Sequence, residues 1–136
     1  MRPVLLDTGV IVALLDRSER AHLRCVESVN TLAAPLVTCE AVITESCYLV
    51  RGLKGAAEAV LANVASGMFQ IAFRLPTVAD EVGQLMRKYR DQDMDLADAC
   101  LVHLAGELRT GEILTLDSDF DVYRWGTGKP FRRLIR

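Results

Sequence analysis

The sequence lacks most of the features that announce a function at once. Its 136 residues carry only 6% aromatic side chains and two histidines. It contains no G-x-x-x-x-G-K-[ST] loop and no G-x-G-x-x-G turn, which excludes the common phosphate-cradling signatures. The cysteines, Cys25, Cys39, Cys47 and Cys100, form no C-x-x-C pair and match no usual zinc spacing. Each sits among apolar neighbours, where free cysteine behaves as a small buried hydrophobe. No run approaches the roughly 18 to 20 apolar residues of a membrane span. "MRPVLLDTGV" meets an acid too early for the apolar core of a signal peptide. The expectation is a cytoplasmic protein with reduced thiols and no membrane contact. A net charge of −2 leaves no global basic field of the kind that attracts nucleic acid.

What is present is ordinary globular material, 51% hydrophobic and 25% charged, enough for one domain with a real core. The apolar share is slightly high, a surplus that often ends in a subunit interface. Charge is unevenly placed. Acids concentrate between Asp91 and Asp121, whereas Arg124, Lys129, Arg132, Arg133 and Arg136 follow with no acid among them. That tail is either a basic edge for a polyanion or a solvated surface.

Short apolar strands alternate with helices. "VLL" and "PLVTC" read as strands, and "MFQIAFRL" as a third ended by Pro76. "EILTLD" is a fourth, and "PFRRLI" an edge strand. Between them, Ser18 is placed to cap a helix running to about Val29, and "EAVITESCYLVRG" is a helix stopped by Gly52 in a left-handed cap. "AAEAVLANVAS" is a helix ending at Gly67, "TVADEVGQLMRKYR" one capped by Thr77, and "MDLADACLVHLAGELRTG" one finishing at Gly111. Such alternation predicts an α/β fold with a parallel sheet covered on both faces, and ligands bind beyond the carboxyl ends of such strands.

Acids stand at those ends. "VLLD" and "ILTLD" both run from apolar strand into carboxylate, at Asp7 and Asp117. If the two strands are neighbours, roughly 4.8 Å apart, the carboxylates crowd one crevice and repel unless a cation lies between them. Asp-Thr-Gly is also good turn chemistry, so Asp7 alone decides nothing. Asp98 flanks the apolar stripe Ala97, Leu101, Leu104 and Leu108 of its helix and can reach over the sheet edge. Asp95 as N-cap with Asp98 in the first turn also suits the helix dipole without any chemistry. Glu45 is mid-helix, in a direction that the helical pattern leaves open. His22, His103 and Ser46 sit in settings that recommend no nucleophilic triad. Several acids with no basic catalyst point to hard-cation chemistry on oxygen ligands.

Together "LLDTGVIVALLD", "AVITESCYLV", "MDLADACLVHLA" and "ILTLDSDF" resemble, in order and over essentially the whole chain, the PIN-domain ribonucleases, and among them the VapC-type toxins of toxin–antitoxin pairs. The resemblance implies a single PIN domain over residues 1–136, a three-layer α/β/α sandwich around a central, mainly parallel sheet. It implies that Asp7, Glu45, Asp98 and Asp117 form the catalytic cluster, with Asp7 and Asp98 holding Mg²⁺, or Mn²⁺, directly. Thr8 and Thr115 match polar positions near the metal, and Asp95 and Asp119 lie in the motifs as supporting acids. The implied activity is hydrolysis of RNA phosphodiesters. The tail itself implies nothing about substrate, though an acidic pocket repels RNA without its metal, which gives the tail arginines a role in holding the backbone. The implied partners are a second copy of the chain and a VapB-type antitoxin, with DNA met only through the antitoxin. The apolar helices between Val10 and Val64 are the candidate surfaces for those proteins. Two other readings stand beside the toxin: a housekeeping PIN nuclease in RNA processing, and a non-cleaving RNA- or protein-binding module. The complete set of acids counts against the last. "DTGV" lacks the second acid that a phosphatase motif needs two positions on.

Overall fold

The computed structural model describes residues 2–135. Strand β1 (Val4–Leu6) is buried at every position and pairs in parallel with β2 (Leu36–Thr38) on one side and β4 (Glu112–Leu114) on the other. β3 (Phe69–Ile71) extends the sheet beyond β2, and β7 (Arg132–Arg133) beyond β4. The order β3-β2-β1-β4-β7 is parallel throughout, and helices flank it in the expected α/β/α arrangement. Continuous apolar strands suit this placement, because a central parallel strand has no solvent face. A separate antiparallel ribbon joins β5 (Arg124–Trp125) to β6 (Lys129–Pro130).

The helices are α1 (Thr8–Leu15), α2 (His22–Thr31), α3 (Glu40–Leu49), α4 (Ala56–Ala65), α5 (Leu75–Lys88) and α6 (Leu96–Leu108). The core gathers Leu5 and Leu6 of β1, Val10 and Ile11 of α1, Leu101 and Leu104 of α6, and Ile113 and Leu114 of β4, all without solvent exposure. Cys25, Cys39 and Cys100 are buried within it, and Cys47 is half-buried. No helix among the described residues is long and apolar enough to cross a membrane.

Several caps differ from the sequence expectations. Ser18 caps nothing: Asp16, which ends α1, accepts from its amide at 3.0 Å and from its hydroxyl at 2.6 Å, so α2 starts only at His22. α3 ends at Leu49, and the left-handed glycine is Gly55 (φ 78), at the start of α4, rather than Gly52. Pro76 does not end β3 but lies in the first turn of α5, where a missing N–H is harmless. Thr77 is consequently inside that helix, donating to the Arg74 carbonyl at 2.8 Å. α6 closes on a left-handed Arg109 (φ 54). Gly111 instead leaves room for the β5–β6 ribbon, since a Cβ there would run into the Trp125 indole nitrogen and the Pro130 carbonyl.

Candidate metal centre

Strand register builds the site. Leu6 pairs with Leu114, so Asp7 and Thr115 leave the sheet side by side. The Asp7 amide donates to the Leu114 carbonyl at 3.1 Å, and the Thr115 hydroxyl donates to Asp7 Oδ2 at 2.7 Å. Asp7 is also the N-cap of α1, its Oδ1 accepting the Thr8 amide at 2.8 Å. The turn reading and the ligand reading of Asp7 therefore describe one geometry.

Asp98 enters from the first turn of α6. Asp95 caps that helix by accepting the Asp98 amide at 2.8 Å, and the Asp98 side chain turns inward to become buried. Two residues beyond Thr115, Asp117 accepts the Asp119 amide at 2.8 Å, and its own amide donates to Thr115 Oγ1 at 3.0 Å. Asp7, Asp98 and Asp117 thus each offer an oxygen within 4.8 Å of the others. Glu45 faces the same cavity from α3, accepting the Thr8 hydroxyl at 2.6 Å. The cavity measures about 330 Å³, with Asp95 on its wall and Leu49 and Leu116 beside the acids. The Asp119 side chain is not part of this wall, and its contribution is the amide that holds Asp117.

The charge balance is lopsided. Each acid is held by a neutral donor: Thr115 and the Thr8 amide on Asp7, Thr8 on Glu45, the Asp119 amide on Asp117, and the phenol of Tyr123 on Asp98 at 3.1 Å. The ion pairs found, His103–Glu107, Arg132–Glu112 and Arg133–Asp121, lie elsewhere. Burial is the main force pushing Asp7 up from 3.8 to about 6; its hydrogen bonds oppose the shift, and Asp117 and Glu45 add to it. Asp98 is pushed up to about 7, again chiefly by burial and then by Asp95 and Asp7. Burial and the Asp98 charge push the Tyr123 phenol well above its ordinary range, which keeps it a donor. Hard carboxylate oxygens converging with no counter-charge among the described residues fit a divalent cation.

The cations of the basic tail find partners within the fold. Arg132 reaches Glu112 at 3.3 Å and Arg133 reaches Asp121 at 3.1 Å. Arg124 donates to the carbonyls of Asp121, Val122 and Tyr123, and Lys129 lies over the Trp125 ring. Arg136 lies outside the described residues. Arg133 is thus drawn into the fold, whereas Arg124, Lys129 and Arg132 keep their contacts at an exposed surface. No triad forms either: the Ser46 hydroxyl bonds the Val42 carbonyl at 2.7 Å, while His22 Nδ1 contacts the Ala13 carbonyl. A larger cleft of about 440 Å³ between α5, α6 and the β5–β6 ribbon is lined by mixed charges, Glu81, Lys88, Glu107 and Arg124, and includes none of the site acids. Tyr123 is the site neighbour that the sequence did not disclose, since nothing in "DVYRW" signals that its hydroxyl meets an acid 25 positions earlier.

Comparison with known proteins agrees with the fold and places the family. The PIN-domain family model matches residues 4–126. Ribonuclease VapC26 of Mycobacterium tuberculosis (strain ATCC 25618 / H37Rv) is 34% identical over 116 residues, covering 84% of this chain and 86% of that protein. In fold, the chain matches the crystal structure of Mycobacterium tuberculosis VapC20, a sarcin–ricin loop cleaving toxin. The TM-score is 0.82 at 16% identity, over 93% of this chain and 99% of the other. The chain belongs to the PIN-domain family, among its VapC-type members.

Proposed function

We propose that this chain, acting as one PIN domain over residues 1–136, is a divalent-metal-dependent endoribonuclease and the toxin of a VapBC-type pair. The observation that carries the reading is the convergence of Asp7, Asp98 and Asp117 within 4.8 Å, each held by a neutral donor. Like charges that close are tolerated in a folded core when a cation shares them. Asp7 and Asp98 hold the ion, Mg²⁺ or Mn²⁺, with Asp117 completing its oxygen ligands. A bound divalent ion supplies Lewis-acid polarisation of a phosphoryl oxygen and lowers the pKa of water. Thr115 keeps Asp7 oriented, and Thr8 does the same for Glu45. Glu45, half-buried on the cavity wall, would be the carboxylate that takes a proton from the attacking water.

RNA as substrate is supported by the ribonuclease relative and a VapB-type antitoxin by the toxin relatives; association with a second copy of the chain rests on the exposed apolar side chains alone. Exposed Leu23, Tyr48, Leu49, Leu53 and Leu61 lie on α2, α3, α4 and the α3–α4 turn, where such proteins would dock. A cytoplasmic location follows from that pairing. Purified protein stripped with EDTA is expected to leave RNA intact, and Mg²⁺ or Mn²⁺ is expected to restore cleavage. Asp98→Asn, folded as judged by circular dichroism, is expected to cleave about a thousandfold more slowly, several kcal/mol of transition-state stabilisation having gone. Chelator-insensitive cleavage, or full activity in Asp98→Asn, would sink the reading.

A further inference from the structure

The hydrogen bond from Tyr123 to Asp98 joins the acid cluster to an aromatic block that the metal chemistry leaves unused. Tyr123 is fully buried. Its ring meets Tyr89 and Phe120 edge-on, each at 5.1 Å between centroids, and Phe120 meets Phe131 in the same way at 5.2 Å. Edge-to-face pairs inside a packed core fix a ring's plane. Tyr89 is pinned in turn, its hydroxyl accepting the Arg124 amide at 3.0 Å. The phenol therefore has no latitude to follow Asp98, whereas the carboxylate can rotate to meet the phenol. Oδ2 of Asp98 takes this hydrogen bond, and among the described residues no hydrogen bond reaches Oδ1. One oxygen is held and the other is left for a ligand. An uncharged donor achieves this without neutralising the acid, as a lysine or arginine in its place would do.

We propose that Tyr123 is a positioning residue of the metal site, its buried hydroxyl fixing the Asp98 carboxylate in the orientation that presents it, with Asp7 and Asp117, to a divalent cation. The inference rests on the metal reading of the cluster and adds a residue that touches neither RNA nor ion. Outer-shell hydrogen bonds of this kind change metal affinity by roughly 10–100-fold when lost.

Tyr123→Phe keeps the ring and deletes the hydroxyl. Tyr89→Phe deletes a hydroxyl of the same aromatic block that holds a backbone amide rather than an acid, and serves as the control. Mn²⁺ binding to EDTA-stripped protein is read by electron paramagnetic resonance, with circular dichroism showing that each variant is folded. Tyr123→Phe is expected to bind Mn²⁺ about tenfold more weakly than wild type, with Tyr89→Phe unchanged. Equal affinity in wild type and Tyr123→Phe overturns the proposal and leaves the metal site standing. An equal loss in both variants also overturns it, because the effect would then be one of packing. Absence of Mn²⁺ binding in the wild type removes the metal site and this role together.

Discussion

Three hydroxyls hold three acids in this protein: Thr115 on Asp7, Thr8 on Glu45 and Tyr123 on Asp98. A hydroxyl orients a carboxylate but leaves its charge in place, so in the metal-free chain burial, and then the neighbouring acids, disfavour the charged forms of Asp7 and Asp98. The consequence for stability has a definite sign. Asp7 and Asp98 titrate at about 6 and about 7 in the folded chain, against 3.8 for an ordinary aspartate. Between those values the folded state binds more protons than the unfolded one, so stability falls as pH rises. The stabilisation is complete below pH 3.8 and is lost as pH passes through 6 to 7. Raising a folded-state pKa by one pH unit corresponds to about 1.4 kcal/mol, shared between coupled groups. EDTA-stripped protein is therefore expected to melt higher at pH 5 than at pH 8, and Mn²⁺ to close most of that gap. A melting temperature that rises from pH 5 to pH 8 without metal would contradict the charge balance described here.

At the scale of elements, the site is a product of register. One parallel pairing, Leu6 with Leu114, sets Asp7 beside Thr115, and two more residues bring Asp117 round. This much was legible, because "VLLD" and "ILTLD" repeat the same event of a buried strand ending on an acid. Asp98 was half legible: its place in the first turn of α6 was plain, but a cap and a ligand look alike there, and Asp95 is in fact the cap. The direction of Glu45 was not legible, because it depends on where α3 packs and on the Thr8 hydroxyl that meets it. Ser18, Gly52 and Thr77 misled for a shared reason. Competing local bonds, such as Asp16 to Ser18, decide where a helix starts, and residue type only biases that competition. Thr115 links both strand-end acids, and its fully buried hydroxyl makes Thr115→Val a test of this element. The variant is expected to lose about 1–3 kcal/mol of stability in urea, since a hydrogen bond in the interior goes unreplaced. A urea midpoint equal to that of the wild type would show that the strand ends do not depend on it.

Over the whole molecule, a net charge of −2 and an acidic cavity work against a polyanionic substrate, and Arg124, Arg132 and Arg133 already have partners within the fold. On the proposed reading, RNA recognition leans on the cation that these acids would hold, and the toxin reading stands or falls with those acids. The α/β/α fold and the order of its motifs were open to sequence reasoning because parallel strands buried on both faces are continuous apolar runs. The engagement of the tail was not, since Arg132 and Arg133 find their acids only after β7 joins the sheet beside β4. The most direct test maps new RNA 5′ ends after brief expression of the wild type and of Asp7→Asn, with the same RNA treated in vitro with and without EDTA. Discrete ends that appear with the wild type, vanish with Asp7→Asn and vanish in EDTA are the predicted result. The same ends in the Asp7→Asn sample, or in the presence of chelator, would contradict the account.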